Sequence, residues 1–179
     1  LISFTMLDIK SCAVNFNEIQ NISPVVNVNV SKISSERKSV NHFSLKGVNE
    51  SYFNIKTLKF NTGRAFNNRD MNRKVAVLGF EIAKKLFNNV NCVGRLVFIK
   101  NIGYKIIGVT QKDNMFNNSG YDVYIPYENA LNINSKTQFN EIIVSLKNDV
   151  NTEDFQKTMK VYLSNNKGIN PKDKTAFFF

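Results

Sequence analysis

The chain predicts an α+β fold with two lobes, a mainly-β segment inserted into a mixed α/β one. Three observations predict it. Several short stretches alternate apolar and polar residues with period two, the mark of a half-buried strand. Other stretches repeat apolar residues at three- and four-residue spacing, the mark of an amphipathic helix. The two kinds follow one another irregularly, unlike a βαβ series, and the middle of the chain, about Leu58 to Phe116, is mostly strand.

The elements follow in order. Leu7 to Phe16 sets Ile9, Cys12, Ala13 and Phe16 at helical spacing, with Asp8 as the expected N-cap. Ile22-Ser23-Pro24 reads as a break, and Val25 to Val30 (VVNVNV) as a strand. Phe43 to Val48 is a second strand, expected to pair with the first across the polar stretch Ser31 to Asn41. Ser51 to Leu58 is a short amphipathic helix or turn. Gly63 supplies a positive φ, and Asn67 to Asp70 a turn. Val75 to Leu78 is apolar throughout, as a strand buried on both faces requires. Phe80 to Phe87 puts Ile82, Ala83, Leu86 and Phe87 on one helical face and Lys84 and Lys85 outside it.

Leu96–Ile99 and Tyr104–Val109 are strands joined through Lys100 to Gly103, a hairpin signal. Asn114 to Gly120 reads as a loop, and Tyr121 to Pro126 as a strand that the proline ends. Glu141 to Leu146 is a further strand. Asn151 caps a last helix that buries Phe155, Met159, Tyr162 and Leu163, and Thr175 to Phe179 offers a terminal strand or a cut end.

Composition narrows the function classes. With 42% hydrophobic residues among 179, the chain can bury a real core. The net charge is +10, but the lysines and arginines are spread from Lys10 to Lys174 without a dense run, which argues against a nucleic-acid interface. A basic surface also suits a domain standing above an anionic membrane. Asn is the commonest residue, which reads as genome bias. Cys12 and Cys92 lack metal-ligand spacing and sit among apolar neighbours. They read as buried small hydrophobes, with a disulfide between them left open. No apolar run reaches membrane-spanning length. The chain shows no signal-peptide pattern and opens on Leu1, so it is expected to be a piece of a longer protein.

No catalytic constellation stands out. The single histidine, His42, has no fixed Ser or Cys partner, and Asp8, Glu18, Glu36, Glu50, Glu81 and Asp113 form no paired-carboxylate pattern. Neither GxGxxG nor GxxxxGK[ST] occurs, so Gly63, Gly79, Gly94 and Gly108 are backbone permissions rather than phosphate cradles. Arg64 and Asp70 read as a salt bridge or cap fixing a turn, with contact to a partner as the other reading. The aromatics fall mostly at core-periodic positions. Phe43, Tyr52 and Phe53 are the candidates for an exposed partner patch.

The order of the middle elements carries more information than any of them singly. Gly47 precedes Tyr52-Phe53, and Gly63-Arg64 is followed by Phe66 and Asp70. Val75 through Gly79 (VAVLG) leads to Leu86-Phe87, Gly94-Arg95, Ile106-Ile107-Gly108-Val109 and Ile125-Pro126. This ordered set resembles the extracytoplasmic core domain of MacB-type ABC transporter permeases (MacB/FtsX/LolC-like), over about Gly47 to Pro126. Asn88 and Cys92 stand where such families often carry Gly and Pro.

The resemblance implies a periplasmic core domain over residues 1–179, projecting outside the inner membrane between two transmembrane helices. Residues 1–57 and 118–179 would form a porter-like α/β lobe, and 58–117 an inserted sabre-like lobe. It implies mechanotransmission for export of drugs, peptides or lipoproteins, with ATP hydrolysis in a cytoplasmic ABC ATPase, a separate subunit or a fused domain, and none in this chain. The implied partners are its own transmembrane helices, that ATPase, a second permease copy, and a periplasmic adaptor or the exported cargo. No cofactor, metal or nucleic acid is implied. Gly63, Arg64, Asp70, Gly79, Gly94, Gly108 and Pro126 would be structural motif residues. Leu1 and Phe179 are expected to lie side by side, and the isolated chain to be monomeric. The alternative is a free-standing extracytoplasmic module binding an anionic polymer or lipid, and a weaker third reading is a hydrolase with dispersed catalytic groups.

Overall fold

A computed structural model describes residues 3–112, 119–139 and 141–168. Helix α1 (Met6–Asn15) starts where Thr5 and Asp8 close a capping box: the Thr5 side chain accepts from the Asp8 N–H, and the Asp8 carboxylate accepts from the Thr5 N–H. Thr5 is therefore the N-cap and Asp8 the third helical residue, contrary to the expected Asp8 cap. Ile9, Cys12 and Phe16 are buried, whereas Ala13 is exposed.

The strands are β1 (Ile19–Val28), β2 (Ile33–Ser34), β3 (Ser39–Val40), β4 (Ser44–Val48), β5 (Phe60–Gly63), β6 (Val75–Leu78), β7 (Leu96–Ile99), β8 (Ile102–Thr110), β9 (Asp122–Pro126) and β10 (Glu141–Leu146). The further helices are α2 (Tyr52–Ile55), α3 (Phe80–Phe87), α4 (Tyr127–Ile133) and α5 (Thr152–Lys167). All ten strands join one mixed sheet in the order β10-β1-β4-β9-β6-β8-β7-β2-β3, with β5 on β8. The pairs β4–β9 and β6–β8 are parallel, and the rest antiparallel. The α+β class and the irregular order agree with the sequence.

Four local expectations change. Ile22-Ser23-Pro24 is no break, because β1 runs through it. Pro24 sits where β1 changes partner: its ladder to β10 ends at Val25 and its ladder to β4 begins at Val26. A missing N–H costs least at such a point. The Ser31–Asn41 stretch is no bare loop, since β2 and β3 form a small hairpin that extends the sheet beyond β7. The β7–β8 turn is made by Lys100 (φ 49°) and Asn101 (φ 65°), both left-handed, as a two-residue hairpin turn matching strand twist requires. Gly103 is already in β8. Finally, α4 follows Pro126, which serves as its N-cap. Of the Asn114–Gly120 loop only the end is described, a 3₁₀ turn at Ser119–Tyr121. The Thr175–Phe179 segment, Leu1 and Phe179 lie outside the described residues.

The sheet buries both faces unequally. One face packs α1, α3, α4 and α5 over a large core that includes Leu45, Leu78, Ile82, Leu86, Tyr104, Ile106, Ile125 and Met159. The other carries a smaller aromatic core of Tyr52, Phe53, Phe66, Val75, Val77 and Tyr124. Phe53 stands at its centre, with ring centroids 5.1 Å from Phe66, 5.4 Å from Tyr124 and 5.6 Å from Phe60. Tyr52 and Phe53 are thus buried, which corrects the exposed Phe43-Tyr52-Phe53 patch; Phe43 is half-buried. The strands of segments 1–57 and 118–179 that lead the order (β10, β1, β4, β9) lie together, and β6, β8, β7 and β5 of segment 58–117 follow. The β2–β3 hairpin of the first segment sits beyond β7, at the far end.

Candidate functional site

Four of the motif residues, Gly63, Arg64, Asp70 and Gly108, gather where β5 meets β8. β5 ends at Gly63, whose φ of +73° lets the chain turn flat onto β8. The Arg64 N–H donates to the Ile107 carbonyl at 3.0 Å. The Arg64 carbonyl then lies where a side chain on Gly108 would have to sit. From there the Arg64 guanidinium reaches Asp70 with two hydrogen bonds, Nη1 to Oδ2 at 2.6 Å and Nη2 to Oδ1 at 3.1 Å. The Asn67 N–H donates to the same carboxylate at 2.8 Å, and the Asn67 side chain caps the 3₁₀ turn Asn68–Asp70. The Asp70 side chain is 2% exposed and that of Arg64 50%. The Arg64 hydrogen bonds hold the Asp70 carboxyl below the usual carboxylate range despite its burial.

Gly79 links β6 to α3, and its N–H donates to the Asp122 carbonyl at 2.7 Å. Gly94 enters β7 with its N–H on the Ile106 carbonyl at 2.7 Å, and Pro126 links β9 to α4. Six of the seven motif residues sit in or beside links between elements, and Gly108 lies within β8, where Gly63 pairs with it.

A second constellation lies at the two ends of the described chain, and the sequence did not reveal it. The Lys167 ammonium in the last turn of α5 meets the Asp8 carboxylate in the first turn of α1 at 2.6 Å. Both side chains are about four-fifths buried, at 21% and 18% exposure. Burial pushes the Asp8 carboxyl up, but the hydrogen bonds from Lys167 and Thr5 outweigh it and leave it below its ordinary value. Lys167 also stands 5.8 Å over the Phe4 ring, and Phe4 exchanges both backbone hydrogen bonds with Phe139. The start of α1 and the end of α5 thus meet at one place.

A third polar group crosses the β4–β9 ladder. Lys46 Nζ meets Asp122 Oδ2 at 2.8 Å, and the Tyr124 hydroxyl donates to the same oxygen at 3.0 Å. Burial, with Asp122 and Glu141 nearby, pushes the Tyr52 hydroxyl up to about 12. The signal in the sequence was a charged residue inside each of two apolar strands, Lys46 in SLKGV and Asp122 in DVYIP.

Cys12 and Cys92 are free thiols, both buried, and burial pushes each up to about 11. His42 is exposed, edge-on to Tyr121. Among the described residues no group of three His, Cys, Asp or Glu could hold a metal ion, and no helix is long and apolar enough to cross a membrane. An apolar cleft of about 930 Å³ runs beside β10, walled by Phe155, Met159, Ile142 and Val144 on one side of the strand and Ile55 and Ile143 on the other.

This fold has counterparts. The model of the MacB-like periplasmic core domain matches residues 2–162. The chain belongs to that family. Among relatives of this MacB-like domain, the macrolide export ATP-binding/permease protein MacB of Neisseria meningitidis is 33% identical over 119 residues, covering 64% of this chain. That of Campylobacter jejuni is 36% identical over 115 residues, covering 60%. The match spans 18% of either relative, so this MacB-like domain is similar to a minor part of those proteins. In solved structures, the periplasmic region of MacB from Actinobacillus actinomycetemcomitans superposes with a TM-score of 0.81 at 25% identity, covering 94% of this chain and 77% of that one. The extracellular domain of the ABC-type transporter YknZ from Gram-positive bacteria shares the fold, with a TM-score of 0.77 at 18% identity, covering 94% and 87%.

Proposed function

We propose that this MacB-like domain is the extracytoplasmic part of an ABC transporter permease, anchored at the inner membrane, and that it carries ATP-driven conformational change to the outer side for export of drugs, peptides or lipoproteins. The single observation that carries the reading is the Asp8–Lys167 contact. It fastens the first helix to the last. Membrane helices attached at both ends would therefore pull on one point of a body stiffened by a continuous sheet, as a lever requires. The porter-like part (1–57 and 118–179) and the sabre-like part (58–117) act in this proposal as lobes of that one body. The motif residues Gly63, Arg64, Asp70, Gly79, Gly94, Gly108 and Pro126 stiffen its joints. Hydrolysis of ATP belongs in this proposal to a cytoplasmic ATPase subunit or domain, and a second permease copy, an adaptor and the cargo are the other partners. The anionic-ligand alternative draws on the cleft beside β10, where Lys56 and Lys136 join Phe4, Phe139 and Phe155 in the lining, but most of that lining is apolar and Glu141 stands in it too.

The test uses the intact parent transporter. Lys167→Ala is expected to lower export while ATP hydrolysis continues, and Lys167→Arg to recover much of the export. Export unchanged in the alanine variant, with expression equal, overturns the proposal.

A further inference from the structure

The two ends of the sheet are protected very differently. At one end β3 is only two residues long. Its neighbour Lys38 is exposed and reaches across to Asn88. Short edges and flanking lysines are the usual guards against edge-to-edge pairing. At the other end β10 is six residues long, Glu-Ile-Ile-Val-Ser-Leu, and pairs only with β1 among the described residues. It has neither proline nor bulge; the one irregularity of that ladder lies in β1, between Ile19 and Asn21. Five of its six residues are half-buried rather than buried, and the apolar cleft beside it is lined from both faces of the strand. Ile142, Val144 and Leu146 look toward the α5 side, and Ile143 toward α2.

The sequence of this edge is complementary to itself. Two copies meeting antiparallel about a two-fold axis normal to the sheet keep their faces matched only if residues of like parity stand opposite each other. With Val144 on the axis, Val144 faces its own copy, Ile142 faces Leu146, Ile143 faces Ser145, and Glu141 faces Lys147. Glu141 and Lys147 are both exposed. The pairing therefore places an opposite charge at each end and an apolar ladder between. Among the described residues Glu141 accepts a long 3.3 Å hydrogen bond from the Asn27 amide, which an ammonium can replace or share. We infer that β10 is an interaction edge for a second copy of this chain, joined antiparallel with Val144 on the two-fold axis so that two sheets run on as one.

A single strand pair buries far less than the ~1,200 Å² of a stable interface, so the free chain stays largely monomeric at micromolar concentration. Tethering of two copies supplies the missing concentration, so the biological weight of the inference rests on the permease reading. The pairing itself is a property of the chain in solution and is measured without any transporter. Its failure leaves the export test above untouched.

The experiment is disulfide capture with Val144→Cys. Opposite residues in an antiparallel pair are about 4.5–5.5 Å apart at Cα, within disulfide reach. Cys12 and Cys92 are buried and do not compete. Under mild oxidation at several hundred micromolar chain, Val144→Cys is expected to form a covalent dimer at least tenfold faster than Leu96→Cys, an exposed site on β7. Adding Glu141→Lys, which sets lysine against lysine, is expected to slow capture roughly tenfold. Adding Glu141→Lys with Lys147→Glu is expected to restore it. Capture no faster than at Leu96, or indifferent to the charge reversal, overturns the inference. A slow single reversal without recovery in the double one also overturns it, because a bound foreign strand or a misfolded edge would behave that way.

Discussion

The Asp8 carboxylate and the Lys167 ammonium, 159 positions apart in sequence, meet at 2.6 Å between the first turn of α1 and the last turn of α5. Each helix end gains from the charge its own dipole favours, the acid at an N-terminus and the base at a C-terminus. Removing Lys167 leaves a mostly buried carboxylate without its cation. Lys167→Ala is expected to cost about 1–2 kcal/mol, below the range for fully buried pairs because water still reaches both groups. Asp8→Ala is expected to cost more, since the capping box with Thr5 goes as well. Urea unfolding of the two variants checks both the magnitudes and their order.

Asp70 makes a stronger case for burial. Asp70→Ala removes both carboxylate bonds of the Arg64 guanidinium, which keeps only the Ala65 carbonyl among the described residues, and leaves the Asn67 N–H without its acceptor, at an expected cost of roughly 2–3 kcal/mol. Both Asp8 and Asp70 have folded-state pKa values below their unfolded ones. Their stabilisation is therefore complete above the unfolded carboxylate value, about 3.9, and disappears as pH falls through the lowered folded values. Asp70→Asn is expected to have a shallower fall in unfolding free energy between about pH 5 and pH 2 than the parent chain. Equal slopes in denaturant titrations across that window would contradict this.

Two glycines separate strain from collision. At Gly63 a methyl group would meet the Ile107 carbonyl and adopt φ +73°, whereas at Gly94 it would adopt φ +90° in open space. Gly94→Ala pays for backbone strain alone, about 1 kcal/mol or a loss of roughly 2–4 °C in Tm. Gly63→Ala must also displace backbone and is expected to lose at least about twice as much. Calorimetry of the pair decides; equal losses would mean that β5 shifts off β8 freely.

The thiols give a further check. Both cysteines are buried and titrate near 11, so at pH 8 in the native state neither is expected to react with an aromatic disulfide reagent within the time an unfolded chain takes to react at both. One rapidly modified thiol in the native chain would place that residue at the surface.

Local chemistry made most of the fold legible. The all-apolar Val75–Leu78 run, the Ile82-Ala83-Leu86 stripe and the Asn151 cap each state their element in a few neighbouring residues. What escaped was decided at a distance. Pro24 reads as a break until β1 is seen to exchange β10 for β4 beside it. Ile33 and Val40, which pair with each other, are too few to announce a hairpin, and it is β7 that ties Ile33 into the sheet. Arg64 and Asp70 are six positions apart, so their pairing was open to sequence reasoning. Asp8 and Lys167 join only once the whole chain has folded, and no local pattern encodes that meeting.

The central claim, a stiff body driven from one point, is tested most directly by paired spin-label distances in the intact transporter held in lipid nanodiscs. Labels at Val14 and Leu96, both exposed, report the length of the body within one copy, and Leu96 labels in two copies report their separation. With ATP bound, the distance within a copy is expected to stay as it is without nucleotide while the distance between copies changes. A between-copy distance identical with and without ATP, or a within-copy distance that changes with it, would contradict the account.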